Sequence, residues 1–309
     1  MIKNILVLSG GPSVEHEISL KSGVEVAKNL DQKKYHVTSV VIPKRISPSS
    51  IFSLDKLKKK NMVDLCFIAL HGAFGEDGRI QAILDFLDIP YTGSGVLASA
   101  LGMDKIRSRQ IFSHIGLLVP KTQVVKRDQK YDFDKTKYPV VAKPYDQGSS
   151  IGVFIVHNQK ELRKAFVKIF NMSEYILIEE YVKGTEVTCA VLGNKKPFAL
   201  PVVEIVPKKE FFDFEAKYNE SKCDEIVPAR ISKKLTQEVQ EAAIKAFQAL
   251  GCKGFARIDM IIRDGKAYIL ELNTIPGLTD VSLLPKAAKA AGISFPGLLD
   301  KIIEHSLTS

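Results

Sequence analysis

The spacing of apolar residues changes period several times along the chain, and each change marks an element. Ile5–Leu8 is a short apolar run that stops at Ser9-Gly10-Gly11-Pro12. Ile18 to Leu30 then carries apolar residues at helical spacing. Tyr35 to Ile42 reads as a second strand, Met62 to Leu70 as a third closed by His71-Gly72, and Ile80 to Leu87 as another helix. Strand–helix–strand order predicts parallel strands with crossover helices, an open α/β sheet. Pro43 to Lys60, with Ser47-Pro48-Ser49-Ser50 and Lys58-Lys59-Lys60, reads as an exposed connection.

The pattern then changes character. A helix over Asp104–Ile115 precedes strands at Val119–Val125, Pro139–Pro144 and Ile151–Val156, a helix at Glu161–Phe170 and a strand at Tyr175–Glu180. The last third opens with strands at Glu186–Leu192 and Phe198–Ile205, and an irregular stretch follows over Val206–Pro228. A loop of that length in a compact domain suits a lid or binding loop. Helix Thr236–Leu250, strands Phe255–Ile262 and Ala267–Leu272 around Asp264-Gly265, and two helical segments complete the chain.

With 309 residues the chain exceeds the size at which one core stops growing, so two or three domains are expected. At 45% hydrophobic and 26% charged residues it reads as a folded globular protein rather than a disordered or fibrous one. No apolar run approaches the ~20 residues of a membrane span. Residues 1–8 lack the basic n-region and cleavage site of a signal peptide, and the four cysteines lie at least 29 positions apart. A reduced, cytoplasmic setting without a membrane partner is the expectation. The net charge of +9 is concentrated: residues 94–184 carry 15 Lys/Arg against 9 Asp/Glu. That excess of 6 suits a polyphosphate ligand as well as a nucleic acid, and no dense basic run with interleaved aromatics favours the latter.

The densest chemistry is Arg257-Ile258-Asp259 on one strand and Glu271-Leu272-Asn273 on the next. Two carboxylates and an amide are hard oxygen donors, suited to Mg²⁺ carrying substrate phosphates. Turn parity decides whether they converge, because side chains alternate faces along a strand. A three-residue loop around Gly265, or a bulge of the same effect, would put Arg257, Asp259, Glu271 and Asn273 on one face; we expect this arrangement. A bare two-residue Asp-Gly turn would separate the carboxylates. The alternative is a solvated hairpin. A Glu between Leu270 and Leu272, and an Asp between Ile258 and Met260, weigh against it.

Lys143 interrupts an apolar strand, and a lysine there implies a partner anion. Gly148-Ser149-Ser150-Ile151-Gly152 follows within a few residues, either a plain turn or, with Lys143 and Lys105, a phosphate cradle. After the first strand the GxGxxG fingerprint is absent, but the glycines permit a tight turn that brings Glu15 and His16 to a crevice beyond the sheet's carboxyl edge. His71-Gly72-Ala73-Phe74-Gly75-Glu76-Asp77-Gly78 should border the same crevice, with His71 more naturally a structural hydrogen-bonder than a ligand. No Ser/His/Asp or Cys/His arrangement stands out, and none of the six histidines is spaced for zinc.

Taken together, Gly10-Gly11-Pro12-Ser13-Val14-Glu15-His16-Glu17-Ile18-Ser19, the His71–Gly78 string, Gly148–Gly152, Glu215-Ala216-Lys217-Tyr218, Arg257-Ile258-Asp259 and Glu271-Leu272-Asn273-Thr274-Ile275-Pro276-Gly277 closely resemble D-alanine–D-alanine ligases of the ATP-grasp superfamily, in order and at compatible spacing. The resemblance implies a mixed α/β and α+β architecture, an N-terminal open parallel-sheet domain (1–93) followed by two α+β domains (94–184 and 185–309) that clasp ATP. It implies ATP-dependent joining of two D-alanines through a D-alanyl phosphate, releasing ADP and phosphate, for peptidoglycan precursor synthesis. Glu15 would hold the ammonium of the first D-alanine in a hydrogen-bonded triad with Ser150 and Tyr218, the last on a closing lid. Lys105, Lys143 and Lys217 match ATP-phosphate positions, Glu179, Glu180 and Val182 the adenine linker, and Glu186 the ribose contact. Asp259, Glu271 and Asn273 match Mg²⁺ ligands, with Mn²⁺ as an alternative metal. Arg257 and the Gly277 N–H match an oxyanion pair, and Ser282 the residue on the second substrate's carboxylate. A homodimer is also implied.

Leu278 departs from the methionine of many relatives, and Glu180-Tyr181 departs in charge and bulk. The Glu-Ala-Lys-Tyr string is of the type found in D-alanine-adding rather than D-lactate-adding enzymes, which implies an amine nucleophile. Competing readings are a ligase of other amino or hydroxy acids, a catalytically silent nucleotide-binding regulator, and a basic nucleic-acid module; the last would show steep salt dependence.

Overall fold

Six successive buried residues, Ile5 to Gly10, make β1 (Lys3–Gly10) the centre of a three-stranded parallel sheet. A strand covered on both faces must be apolar on both, so its sequence runs continuously rather than alternating. In the computed structural model, which describes residues 2–207 and 223–307, β2 (Tyr35–Ile42) and β3 (Leu65–Ile68) flank β1 in the order β2-β1-β3. Ile5 pairs with both Val37 and Leu65. The crossover from β1 is α1 (His16–Asn29), and α3 (Arg79–Phe86) follows β3.

The expected exposed connection is instead largely a helix, α2 (Pro48–Lys59). Proline at the helix start is preorganised for it, and Ser47 and Ser50 form a reciprocal capping box. Leu54 is fully buried, and Lys56, Lys58 and Lys59 sit in the last turn, where the helix dipole favours cations.

The second sheet is antiparallel, ordered β4 (Thr122–Lys126), β7 (Tyr175–Glu180), β5 (Val140–Pro144), β6 (Phe154–Val156). Helix α6 (Gln159–Phe170) buries Leu162, Ala165, Phe166 and Ile169 against it, and the Asn158 side chain caps the helix by accepting from the Glu161 N–H at 3.0 Å.

The third sheet runs β11 (Cys223–Ile226), β10 (Val203–Pro207), β8 (Thr185–Gly193), β12 (Gly254–Arg263), β13 (Lys266–Asn273), with short β9 (Phe198–Ala199) beside β8. The expected strand Phe198–Ile205 is split at Pro201, which has no N–H to donate to a ladder. Part of the expected irregular stretch is β11, antiparallel to β10.

Helices α4 (Val96–Met103), α5 (Lys105–His114) and α7 (Lys233–Ala249) cover this third sheet: Ala98 and Phe112 share a core with Val239, Phe247 and Ile258. Residues 96–114 therefore pack with the last segment, although the sequence division groups them with the central one. The chain ends by returning to the first sheet. Helices α8 (Leu283–Ala290) and α9 (Phe295–Leu307) bury Leu284, Leu298 and Ile302 in the same core as Leu6 and Phe67. Tyr35 donates to Asp300 at 2.9 Å across that junction. The first and third sheets are thus fixed to each other, and the loops at the carboxyl edge of β1 and β3 face the end of β13. No helix among the described residues is long and apolar enough to cross a membrane.

Candidate active site

The β12–β13 hairpin turns through only two residues, Asp264 and Gly265, both at positive φ as the tightest hairpin turn requires. Continued without interruption, that register would set Asp259 opposite Leu270 and send Glu271 to the other face. A bulge intervenes: Met260 pairs with Ile269, but Asp259 pairs with Glu271 and Arg257 with Asn273. Leu270 is the extra residue, and all four polar side chains share one face. The expected convergence is present, produced by the bulge rather than by a longer loop.

Asp259 is buried and surrounded by donors. Arg257 reaches both its oxygens at 2.9 Å, Thr188 donates at 2.6 Å and Asn273 Nδ2 at 3.1 Å. Glu271 pairs with Lys105 at 3.2 Å, a lysine carried by the first turn of α5. Among the described residues no three His, Cys, Asp or Glu side chains cluster as a metal cage. Two opposed carboxylates and an amide nevertheless fit Mg²⁺, which takes few protein ligands and completes its shell with phosphate and water oxygens.

Beside this face lies a small cavity, about 80 Å³, lined by Glu15, His71, Glu76, Ser149, Glu186, Glu225, Arg257, Asp259, Gly277 and Ser282 among others. Glu15 ends the turn after β1 and opens α1. Its carboxylate accepts a hydrogen bond from Ser149. Ser150, expected beside Glu15, lines a second, larger cavity. His71 is a structural hydrogen-bonder: it is bonded to Ser22 Oγ at 2.8 Å and to the Ile275 carbonyl at 3.0 Å. Burial lowers its pKa, so the neutral ring donates to Ile275 and accepts from Ser22.

Glu76, not among the expected site residues, accepts from the N–H groups of Gly72 (2.8 Å) and Ile275 (3.3 Å). Burial, with the Glu15 charge adding to it, pushes its carboxyl up to about 8. His71 and Glu76 together clamp Ile275, two residues before Gly277. Gly277 passes so close to Ser282 that a Cβ would sit 2.7 Å from the serine hydroxyl and would have to displace it. Ser282 precedes α8, and its hydroxyl is bonded to Thr279 Oγ1 at 2.8 Å.

The larger cavity, about 580 Å³, opens between the second and third sheets and shares Glu186, Ile205 and Asp259 with the small one. Lys105, Lys143, Ser150, Glu179, Glu180, Val182 and Glu271 all line it, with apolar Val141, Ile155, Ile261 and Leu270. Volume and lining suit a ligand with an aromatic body and an anionic tail. Lys143 is 7% exposed and lies 3.1 Å from Glu179. Burial, followed by the nearby Arg109 guanidinium, brings its pKa down to about 8, against the opposing pull of Glu179 and Glu271. Glu180 accepts from the Lys121 N–H at 3.2 Å. Lys217 and Tyr218 lie outside the described residues.

Three residues in or beneath these cavities do not stand out in the sequence. Ser149 and Glu76 lie inside the Gly148–Gly152 and His71–Gly78 strings, but nothing in a string tells which hydroxyl faces a carboxylate or which carboxyl is buried. Arg109 sits one helical turn after Lys105, which places both on one face of α5.

The N-terminal part of the chain, residues 4–48 and 45–94, matches a family described as D-ala D-ala ligase N-terminus, and residues 111–304 match D-ala D-ala ligase C-terminus. A D-alanine–D-alanine ligase of Syntrophobacter fumaroxidans is 46% identical over 310 residues, spanning 98% of this chain and 97% of the relative. That of Carboxydothermus hydrogenoformans is 44% identical over 96% of both. Among solved structures, a Bacillus anthracis D-alanine–D-alanine ligase complexed with ATP is 37% identical and superposes with a TM-score of 0.85, covering 99% of this chain and 97% of that one. The VanG D-Ala:D-Ser ligase of Enterococcus faecalis, 33% identical, gives 0.83 over 99% of this chain and 100% of that one.

Proposed function

Because the chain belongs to the D-alanine–D-alanine ligase family, with the ATP-grasp fold, we propose that it joins two molecules of D-alanine at the expense of ATP, yielding D-alanyl-D-alanine, ADP and phosphate for cell-wall peptidoglycan. The observation that carries this reading is the pair of joined cavities. A small, carboxylate-rich one is matched to ammonium-bearing amino acids, and it meets a larger, lysine-bearing one at Asp259 and Glu186.

The larger cavity would hold ATP with its adenine toward Glu179, Glu180 and Val182, its ribose at Glu186 and its phosphates toward Lys105 and Lys143. Lys217 is assigned to the same phosphates by sequence alone. Asp259, Glu271 and Asn273 would hold Mg²⁺, or Mn²⁺ in its place. The ion neutralises charge on the phosphate oxygens when bound.

Glu15, oriented by Ser149, would hold the ammonium of the first D-alanine. The carboxylate oxygen of that D-alanine attacks the γ-phosphorus, the bond to the β-phosphate oxygen breaks, and ADP leaves. The amine of the second D-alanine, its carboxylate held at Ser282, then attacks the acyl carbon. Arg257 and the Gly277 N–H stabilise the oxyanion of the tetrahedral intermediate, which collapses with loss of phosphate and of the amine's proton. Donors so placed are worth roughly 10²–10³ in rate. Burial of the site matters because an acyl phosphate is lost to any water that reaches it. By sequence, Ser150 and Tyr218 would complete the Glu15 triad; the geometry favours Ser149 for the serine. Each sheet falls inside one of the proposed domains, 1–93, 94–184 and 185–309, with α4 and α5 bridging the latter two. A homodimer in the cytoplasm completes the proposal.

Isotope transfer tests the acyl phosphate directly. D-alanine labelled with ¹⁸O in its carboxylate should deliver one ¹⁸O to the released phosphate for each dipeptide formed. Unlabelled phosphate would rule the intermediate out.

A further inference from the structure

Arg109 is buried, 5% exposed, and lines neither cavity itself, but contacts two residues that line the large one. A buried guanidinium is costly unless its partners repay desolvation, and packing alone would be served by an apolar residue. Its partners are therefore informative. Nη2 donates to the Leu270 carbonyl at 2.7 Å, and Nη1 to Thr122 Oγ1 at 3.2 Å. Nη1 also lies 2.8 Å from one oxygen of Glu179, whose other oxygen is 3.1 Å from Lys143. Leu270 is the residue whose insertion brings Glu271 round to face Asp259. Lys105, one turn earlier on α5, pairs with Glu271 itself.

We propose that Arg109 is a positioning residue for the nucleotide and its metal: one guanidinium beneath the cavity pins the bulge that aims Glu271 and holds the Glu179 carboxylate that aims Lys143. The inference rests on reading the large cavity as the nucleotide site and the carboxylate pair as the metal site. Without Arg109 the hairpin loses the donor at its irregular residue, and the uninterrupted register set by the Asp264-Gly265 turn becomes accessible. Glu179 is left with Lys143 as its cation and draws that amine away from phosphate. Glu15, Ser149 and Ser282 make no contact with Arg109, so the amino-acid subsites are untouched.

The test compares the full-length wild-type protein with Arg109→Met and Arg109→Lys. Thermal melting checks the fold, calorimetric titration with a non-hydrolysable ATP analogue is run with and without Mg²⁺, and the KM for D-alanine is measured. Loss of charge-assisted bonds should weaken analogue binding in Mg²⁺ by about tenfold or more in Arg109→Met. The KM for D-alanine should stay within about twofold, as expected of a site the change does not touch. Lysine keeps the charge but not the two-nitrogen fork, so Arg109→Lys should recover metal-free analogue binding to within about threefold while the tightening by Mg²⁺ stays reduced. A purely structural role would lower the melting temperature and leave this split unmoved. Folded variants that bind the Mg²⁺-bound analogue as the wild type does would overturn the proposal. Should Arg109→Met not fold, wild-type metal dependence in Arg109→Lys does so alone. A wild-type protein that binds no analogue would overturn the nucleotide reading as well, a result distinct from the other two.

Discussion

Asp259 and Glu271 face each other directly across two antiparallel strands joined by a two-residue turn, because Leu270 is bulged out of the register between them. The turn is the tightest a hairpin can use, and it alone would have put the two carboxylates on opposite faces of the sheet. Their convergence is therefore a property of one inserted residue. It explains how a stiff hairpin brings two carboxylates together without a loop between them.

That arrangement makes the consequences of mutation unequal. Glu271→Gln should lower kcat by about 10²–10³ with stability little changed, since the amide oxygen can still accept from Lys105, which also donates to the Gln147 carbonyl. Asp259→Asn should be equally inactive and in addition lose about 1.5–3 kcal/mol, because it removes the charge from a carboxylate that accepts from Arg257, Thr188 and Asn273. Steady-state kinetics with denaturant unfolding separates the two. Equal stability losses would contradict this difference.

The serines offer a second division. Ser149 donates to Glu15 and Ser150 lines the larger cavity. Ser149→Ala should raise the KM for D-alanine by about tenfold, the worth of a bond to a charged group, and leave the KM for ATP nearly unchanged. Ser150→Ala should act chiefly on ATP. The reverse pattern in substrate-saturation kinetics would reassign the hydroxyl on Glu15.

Lys143 must be charged to attract phosphate, and in the free protein it releases its proton near pH 8. Nucleotide affinity should be level below about pH 8 and weaken above it, approaching tenfold per pH unit as binding has to recapture a proton. Titration of the ATP analogue between about pH 7 and 9.5 measures this. Lys143→Met should bind weakly and without the slope; a wild-type affinity level across the range would contradict the assignment.

Glu76 has the opposite acid–base character. Its carboxyl is raised from 4.5 to about 8 in the folded protein, so the folded state holds the proton more firmly than the unfolded chain. Stability linked to Glu76 is thus fully present below about pH 4.5 and is lost as pH rises through about 8. Glu76→Gln removes that dependence. Relative to wild type, the variant should gain on the order of a few kcal/mol between about pH 5 and 8.5, whatever its absolute stability. Melting curves across that range check the sign.

Much of the site is legible in the amino-acid sequence. A lysine inside Val140-Val141-Ala142-Lys143-Pro144 demands an anion, and Glu179 supplies it. Carboxylates flanked by apolar residues in a hairpin announce a site, and the need for a bulge follows from parity. What the sequence hides depends on three-dimensional accidents of packing. Ser47-Pro48-Ser49-Ser50 has the composition of a loop, and it becomes a helix start where its capping box and Pro48 combine with the burial of Leu54. Ser149 and Ser150 differ by one residue in a stretch of left-handed backbone, where no periodicity tells which side chain points to which cavity. Residues 96–114 precede the second sheet in sequence yet pack on the third, a choice made by Ala98 and Phe112 finding the α7 core.

The decisive measurement is phosphate release from Mg-ATP with D-alanine, with L-alanine or with neither, made beside the Glu271→Ala protein. Release should require D-alanine, be absent with L-alanine and vanish in the variant. Release independent of D-alanine, or undiminished in Glu271→Ala, would contradict the ligase reading and its metal site.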